Sequence, residues 1–186
     1  MSQSENVYAY IDGANLHKGI EHFGWVLDYK RFRTWLHEKY RVTDAYLFLG
    51  FIPARKELYE FLKHAGYILV FKEITHDSLG RIKGNCDADL VLHATIDFFE
   101  HKFDKAIVIS SDGDYAGLIC FLNDRNAFKV LLSPSNKCSY LLWKLNIKIV
   151  HLDPQRNNLE KRTTMPLPIK RSNTQKEKAP DGDGTS

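Results

Sequence analysis

Short apolar runs rich in β-branched and aromatic residues alternate along this chain with segments of helical periodicity. Residues 7–11, 45–51, 67–71, 106–110, 128–132 and 147–152 read as six strands. Helical patterns fill the gaps. One passes through Leu16, Ile20 and Phe23 to Gly24. A second is capped by Asp28 and carries Phe32, Leu36 and Tyr40 on one face. A third is opened by Pro53 and ended by Gly66, with Leu58, Phe61, Leu62 and Ala65 as its inner face. Further helices are expected over residues 87–101, 114–126 and 139–145, and a loop or hairpin over 75–84 turns at Asp77-Ser78-Leu79-Gly80. Such an order predicts an α/β fold with a central, mostly parallel sheet and helices on both faces.

Two of these strands end in acid. The first runs into Asp12-Gly13-Ala14-Asn15, and the fourth into Ser110-Ser111-Asp112-Gly113-Asp114. Ligands of open α/β sheets bind outside the carboxyl ends of the strands. Carboxylates gathered there repel one another, and a hard cation allows them to stay ionised together. Asp-Gly is also a common turn, so Asp12 by itself says little. Asn15 adds to it, because an amide beside a carboxylate at a helix start suits a hydrated cation and a substrate oxygen. Ser110 and Ser111 offer hydroxyls to a carboxylate or phosphate oxygen. Asp114 either caps the following helix or serves as a second ligand, and both roles stay open.

A third element is Lys83-Gly84-Asn85-Cys86-Asp87-Ala88-Asp89-Leu90. At about 100° per residue, Asp87 falls on the face of Leu90, Val91, Ala94 and Phe98. An isolated buried charge is costly, and a cation at the sheet edge would account for it. Asp87 is therefore the third expected ligand after Asp12 and Asp112. Asp89 points away, towards His93 and Asp97, on a stripe that reads as a solvated face. Arg81 and Lys83 either neutralise a substrate phosphate or solubilise the excursion.

Composition excludes several classes. The 186 residues suit one domain, and a net charge of +3 permits a polyanionic partner without requiring one. No apolar run approaches the roughly 20 residues of a membrane span. Residues 1–6 lack a signal-peptide pattern, so a cytoplasmic protein is expected. Cys86, Cys120 and Cys138 are too widely spaced for a zinc or disulfide framework, and Cys86 reads as a buried neighbour of the acids. Ala14 stands where a dehalogenase-type phosphatase needs a second Asp, and no glycine-rich phosphate loop follows the first strand. From residue 153 apolar residues become scarce, so residues 1–152 are expected to form the domain and 153–186 a disordered, basic and polar tail.

Taken in order, Asp12-Gly13-x-Asn15, Lys83-Gly84-x-x-Asp87 and Ser111-Asp112-Gly113-Asp114-Tyr115 resemble the motifs of the NYN domain family. This is the PIN-like nuclease group that includes LabA-type (DUF88) proteins, and the resemblance covers roughly residues 7–152. One departure is Ser111 directly before Asp112, where the family commonly has Ser-Gly-Asp. The resemblance implies a PIN-like three-layer α/β/α sandwich with the first and fourth strands adjacent. It implies a Mg²⁺- or Mn²⁺-dependent ribonuclease in which Asp12, Asp87 and Asp112 hold the cation that activates water, with Asn15 and Asp114 beside them. Asn15 and Ser111 would contact phosphate, and Arg31, Arg33, Lys39, Arg55, Lys56, Arg81 and Lys83 are candidates for the RNA path. The alternative is an RNA-binding or regulatory module of the same fold with weak or no turnover. RNA, single-stranded or structured, is the expected partner, and a homodimer stays open.

Overall fold

The computed structural model describes residues 5–72, 75–76, 82–83 and 86–162. Its strands are β1 (Val7–Asp12), β2 (Val42–Gly50), β3 (Ile68–Lys72), β4 (Thr75–His76), β5 (Ile82–Lys83), β6 (Lys105–Ile109), β7 (Phe128–Ser133) and β8 (Ile149–His151). Six of them form one parallel sheet in the order β3-β2-β1-β6-β7-β8, and β4 and β5 pair antiparallel as a separate ribbon. The helices are α1 (Gly13–His22), α2 (Tyr29–Tyr40), α3 (Lys56–His64), α4 (Asp87–Phe99), α5 (Ala116–Asp124), α6 (Tyr140–Trp143) and α7 (Arg156–Leu159).

Strand alternation divides the core into two layers. Val7, Ala9 and Ile11 of β1 and Ile107 and Ile109 of β6 face α1, α2, α3 and α7. Tyr10 of β1 and Ala106 and Val108 of β6 face α4, α5 and α6. The central strands are thus covered on both sides, as a parallel sheet requires, and the expected three-layer α/β/α sandwich is observed. Among the described residues no helix is long and apolar enough to cross a membrane.

The structure alters three local expectations. The inner face of α3 is Tyr59 and Leu62, whereas Leu58 and Phe61 are exposed. This helix flanks the sheet edge at β3 and has little sheet to cover. The Asp89-His93-Asp97 stripe is solvated only in part, at Asp89 and His93. Asp97 is buried, accepts a 3.0 Å hydrogen bond from the Tyr10 hydroxyl, and lies 2.9 Å from both His93 Nδ1 and Lys102 Nζ. The sheet presents tyrosines to α4, with Tyr10 stacked on Tyr46, and the buried hydroxyl needs an acceptor.

The third change concerns residue 153. The chain continues through a turn at Asp153–Gln155 into α7, and Leu159 is fully buried. Asp28 N–H donates to Leu159 O at 2.8 Å, and Lys161 N–H to Val26 O at 2.8 Å. The Trp25 indole N–H donates to Asp153 Oδ1 at 3.1 Å. One leucine among polar residues is a weak signal, yet its burial anchors α7 against α2. The remainder of the expected tail, from residue 163, lies outside the described residues, as does the Asp77-Ser78-Leu79-Gly80 turn.

Leu159→Ala is expected to lower stability by about 2–5 kcal/mol, as for a core leucine. Urea denaturation of the two proteins measures the difference; a tail residue would show none.

Candidate active site

The site lies where β1 and β6 end side by side. The two strands pair in parallel with Ile11 opposite Ile109, so Asp12 and residues 110–112 emerge together at the carboxyl edge. No loop separates β1 from α1. Asp12 is the helix N-cap, and its Oδ1 accepts the Asn15 N–H at 3.0 Å. Gly13 permits this abrupt start, because a Cβ there would lie 2.8 Å from the Phe48 carbonyl oxygen and 2.4 Å from Leu49 Cδ2. After β6, Asp112 N–H donates to Ser110 Oγ at 3.1 Å, and Asp112 Oδ1 accepts the Asp114 N–H at 3.1 Å. Asp112 therefore caps the short 3₁₀ turn Gly113–Tyr115, which releases Asp114 from the capping role.

Asn15 braces the two strand ends. Its Oδ1 accepts both the N–H and the hydroxyl of Ser111, each at 2.9 Å. These two candidate substrate contacts are engaged with each other. Ser111 is not among the residues with positive φ, so a serine in place of glycine introduces no backbone strain.

Carboxylate oxygens of Asp87, Asp112 and Asp114 all lie within 4.8 Å of one another. Asp12 joins this group through Tyr115 rather than directly. The buried Tyr115 hydroxyl lies 3.2 Å from Asp12 Oδ2 and makes a short hydrogen bond to Asp87 Oδ1. The expected trio of Asp12, Asp87 and Asp112 is thus regrouped. The 3₁₀ turn folds Asp114 back towards Asp112, while helix capping draws the Asp12 carboxylate inward, to 7% exposure. Asp89 takes no part and pairs with Lys72 at 3.2 Å. Residue spacing assigns Tyr115 no role. Its position directly after Asp114 is the only local signal, because its partner Asp87 is remote in sequence.

Burial, with the Asp87 charge adding to it, raises the Asp12 carboxyl above the ordinary carboxylate range, against the opposing hydrogen bonds from Asn15 and Tyr115. Burial and the Asp12 charge raise the Tyr115 hydroxyl far above its usual value, so it stays a donor. Burial and the same Asp12 charge push the Cys86 thiol up to about 11, which leaves it protonated and a poor nucleophile. An all-oxygen set of three carboxylates fits a hard divalent cation such as Mg²⁺ or Mn²⁺, and offers none of the nitrogen or sulfur ligands usual for zinc.

The basic candidates do not converge on this site. Arg33 donates to Gly66 O at 2.9 Å and Val42 O at 3.3 Å, at the amino ends of β3 and β2 and so at the opposite edge. Arg31 donates to Glu160 O at 3.1 Å, and Lys39 lies over the Trp35 ring. Arg55 and Lys56 follow β2 at the carboxyl edge, where both are exposed. Lys83 ends β5, but its side chain lies outside the described residues, as does Arg81.

A family model described as the NYN domain matches residues 6–142. A crystal structure of a protein of unknown function from Vibrio parahaemolyticus, VPA0982, is similar in fold, with a TM-score of 0.69 and 21% identity. That match covers 86% of this chain and 98% of the other. A mutant of T5 5′-exonuclease matches with a TM-score of 0.41 and 19% identity, over 70% of this chain and 50% of that one. No curated protein sequence matches the chain.

The raised Asp12 carboxyl has a consequence for stability. The folded state holds that proton more tightly than the unfolded state does. Its contribution is therefore present at low pH and is lost as pH rises through the folded-state value. Asp12→Asn keeps a capping oxygen and removes the buried charge. In metal-free buffer it is expected to melt higher than the parent at pH 7, with the gap closing as pH falls into the acid range. Thermal melts of both proteins across that range check the sign.

Proposed function

The chain belongs to the NYN domain family, within the PIN-like nuclease superfamily, and on that premise we propose that it is a divalent-metal-dependent ribonuclease. The observation that supports this most directly is the meeting of Asp87, Asp112 and Asp114 within 4.8 Å at the carboxyl edge of the sheet. Three like charges so close are unfavourable without a cation. Asp87, Asp112 and Asp114 would hold Mg²⁺ or Mn²⁺, with Asp12 as a fourth carboxylate at the floor. Such a cation supplies Lewis-acid stabilisation of phosphoryl charge and activation of water near neutral pH.

The chain's own residues do the positioning. Tyr115, held protonated between Asp12 and Asp87, donates its short hydrogen bond to Asp87 and stays within reach of Asp12, so it positions one carboxylate at a time. The Asp114 N–H positions Asp112. Asn15 ties the loop carrying these acids to α1 through Ser111. Rigid support of this kind is what metal sites need from residues behind the ligands.

Cleavage of labelled single-stranded and structured RNAs in Mn²⁺, Mg²⁺ or EDTA tests the proposal. Activity is expected with either metal and none in EDTA. Asp87→Asn and Asp112→Asn should each lower cleavage at least about a hundredfold, and Tyr115→Phe about ten- to a hundredfold, as for a residue behind the ligands. Cleavage that persists in EDTA, or in both Asn variants, would refute the metal mechanism. RNA binding without cleavage in any metal would favour the regulatory module instead.

A further inference from the structure

The loop that carries Asp112 and Asp114 is fastened to a second element, α6, whose outer side is neither packed nor acidic. Ser139 N–H, at the start of α6, donates to Ser111 O at 3.0 Å. Ser139 and Leu141 pack so closely on Gly113 that a Cβ there would lie 2.4 Å from Ser139 Oγ and 3.2 Å from Leu141 Cδ1. Leu142 is fully buried and anchors the helix. Opposite it, Tyr140 is 69% exposed and Trp143 is 55% exposed. Tyr140, Trp143 and Lys144 stand three and four residues apart, as neighbours on one side of a helical turn. Lys144 Nζ lies 4.7 Å from the Tyr140 ring centroid.

Large exposed aromatics contribute little to a core, and contiguous ones mark interaction surfaces. The charge around these two narrows the class of partner. Residues 133–147 contain Lys137 and Lys144 and no Asp or Glu. Both lysines are exposed. Flat apolar rings among positive charges suit a single-stranded nucleic acid, whose bases stack on the rings while its phosphates meet the lysines. A protein partner would also use aromatics, but Lys144 over the Tyr140 ring, a flanking segment without acids and direct attachment to a nuclease-type acid cluster favour the polyanion.

We infer that Tyr140 and Trp143 form a stacking platform for unpaired bases of the RNA strand whose phosphate reaches the Asp87, Asp112 and Asp114 group, with Lys144 pairing with its backbone. This deepens the ribonuclease reading and rests on it for the identity of the strand. It names unpaired rather than duplex RNA as the substrate class, because bases must leave the helical stack to lie on a side chain.

The test measures binding apart from cleavage. Fluorescence anisotropy in EDTA follows a labelled oligouridylate and an abasic strand of the same length. Tyr140→Ala and Trp143→Ala are expected to weaken oligouridylate binding about tenfold each, since stacking on one aromatic is worth that much. Tyr140→Phe and Trp143→Phe keep a ring and should stay within about threefold of the parent. Binding of the abasic strand should be the same for all. Both positions are exposed, so melting temperatures should match; Tyr140→Gln and Trp143→Gln replace an alanine variant that melts early. Unchanged oligouridylate binding in the Ala variants, an equal loss for the abasic strand, or a parent protein that binds neither strand would overturn the platform. Absence of cleavage alongside the stacking pattern would instead remove the ribonuclease reading and leave the platform standing.

Discussion

The parallel pairing of β1 with β6 is the constraint on which the rest of the site depends. It sets Ile11 beside Ile109, so that two chain segments remote in sequence turn into their helices at the same point. β1 runs directly into α1, and only residues 110–112 separate β6 from the 3₁₀ turn. Gly13 and Gly113 sit in contact with neighbouring elements at distances that leave no room for a side chain. The acid immediately before each glycine is thereby held by its own capping bond, Asp12 to the Asn15 N–H and Asp112 to the Asp114 N–H. Helix capping, an ordinary local device, becomes the means of aiming carboxylates. Asp87 arrives from α4, which is tied to β1 by the Tyr10–Asp97 hydrogen bond one layer below.

This arrangement is costly to the fold. Asp12 loses water and faces the Asp87 charge, and both effects raise its carboxyl above the ordinary range. Tyr115 has one hydroxyl proton and two carboxylate neighbours, so it serves one of them at a time. A fold selected for stability alone would place apolar residues or amides at this floor. The cost is consistent with a site kept for ligand chemistry, and a cation bound to the folded state would offset it.

Much of this was legible in the amino-acid sequence. Alternating strand and helix patterns gave the sandwich, and the order of Asp12, Asp87 and Asp112 gave the edge on which chemistry sits. Local periodicity could not say how far each carboxylate reaches. Asp12 and Asp112 occupy equivalent positions in sequence, yet one begins an α-helix and turns inward, while the other begins a 3₁₀ turn that brings Asp114 alongside. The role of Tyr115 follows from a contact with Asp87, 28 residues away in sequence, that no spacing rule contains. Leu159 was hidden by polar neighbours, since one buried side chain leaves no period to detect. The Asp89-His93-Asp97 stripe misled for a related reason: helical phase located the face but not the tyrosines of the sheet beneath it.

The acidic group and α6 divide the electrostatic work between them. Three carboxylates within 4.8 Å of one another also repel a phosphodiester, so they cannot recruit a nucleic acid on their own. A bound cation reverses that repulsion only at the reacting phosphate, because screening confines its influence to about a Debye length. The affinity for the rest of the strand has to come from neighbouring surface. Arg33 and Arg31 are spent on backbone carbonyls away from the site, which removes two strong candidates for that role. Lys144 and the exposed rings of α6 lie on the element attached to the Asp112 loop, and residues 133–147 hold no acid. Stacking is largely indifferent to charge, so it can hold a base beside an acidic pocket where ion pairing alone would be weakened. On the proposed reading, that is a physical reason for exposed rings, rather than further cations, on the helix that packs against the Asp112 loop.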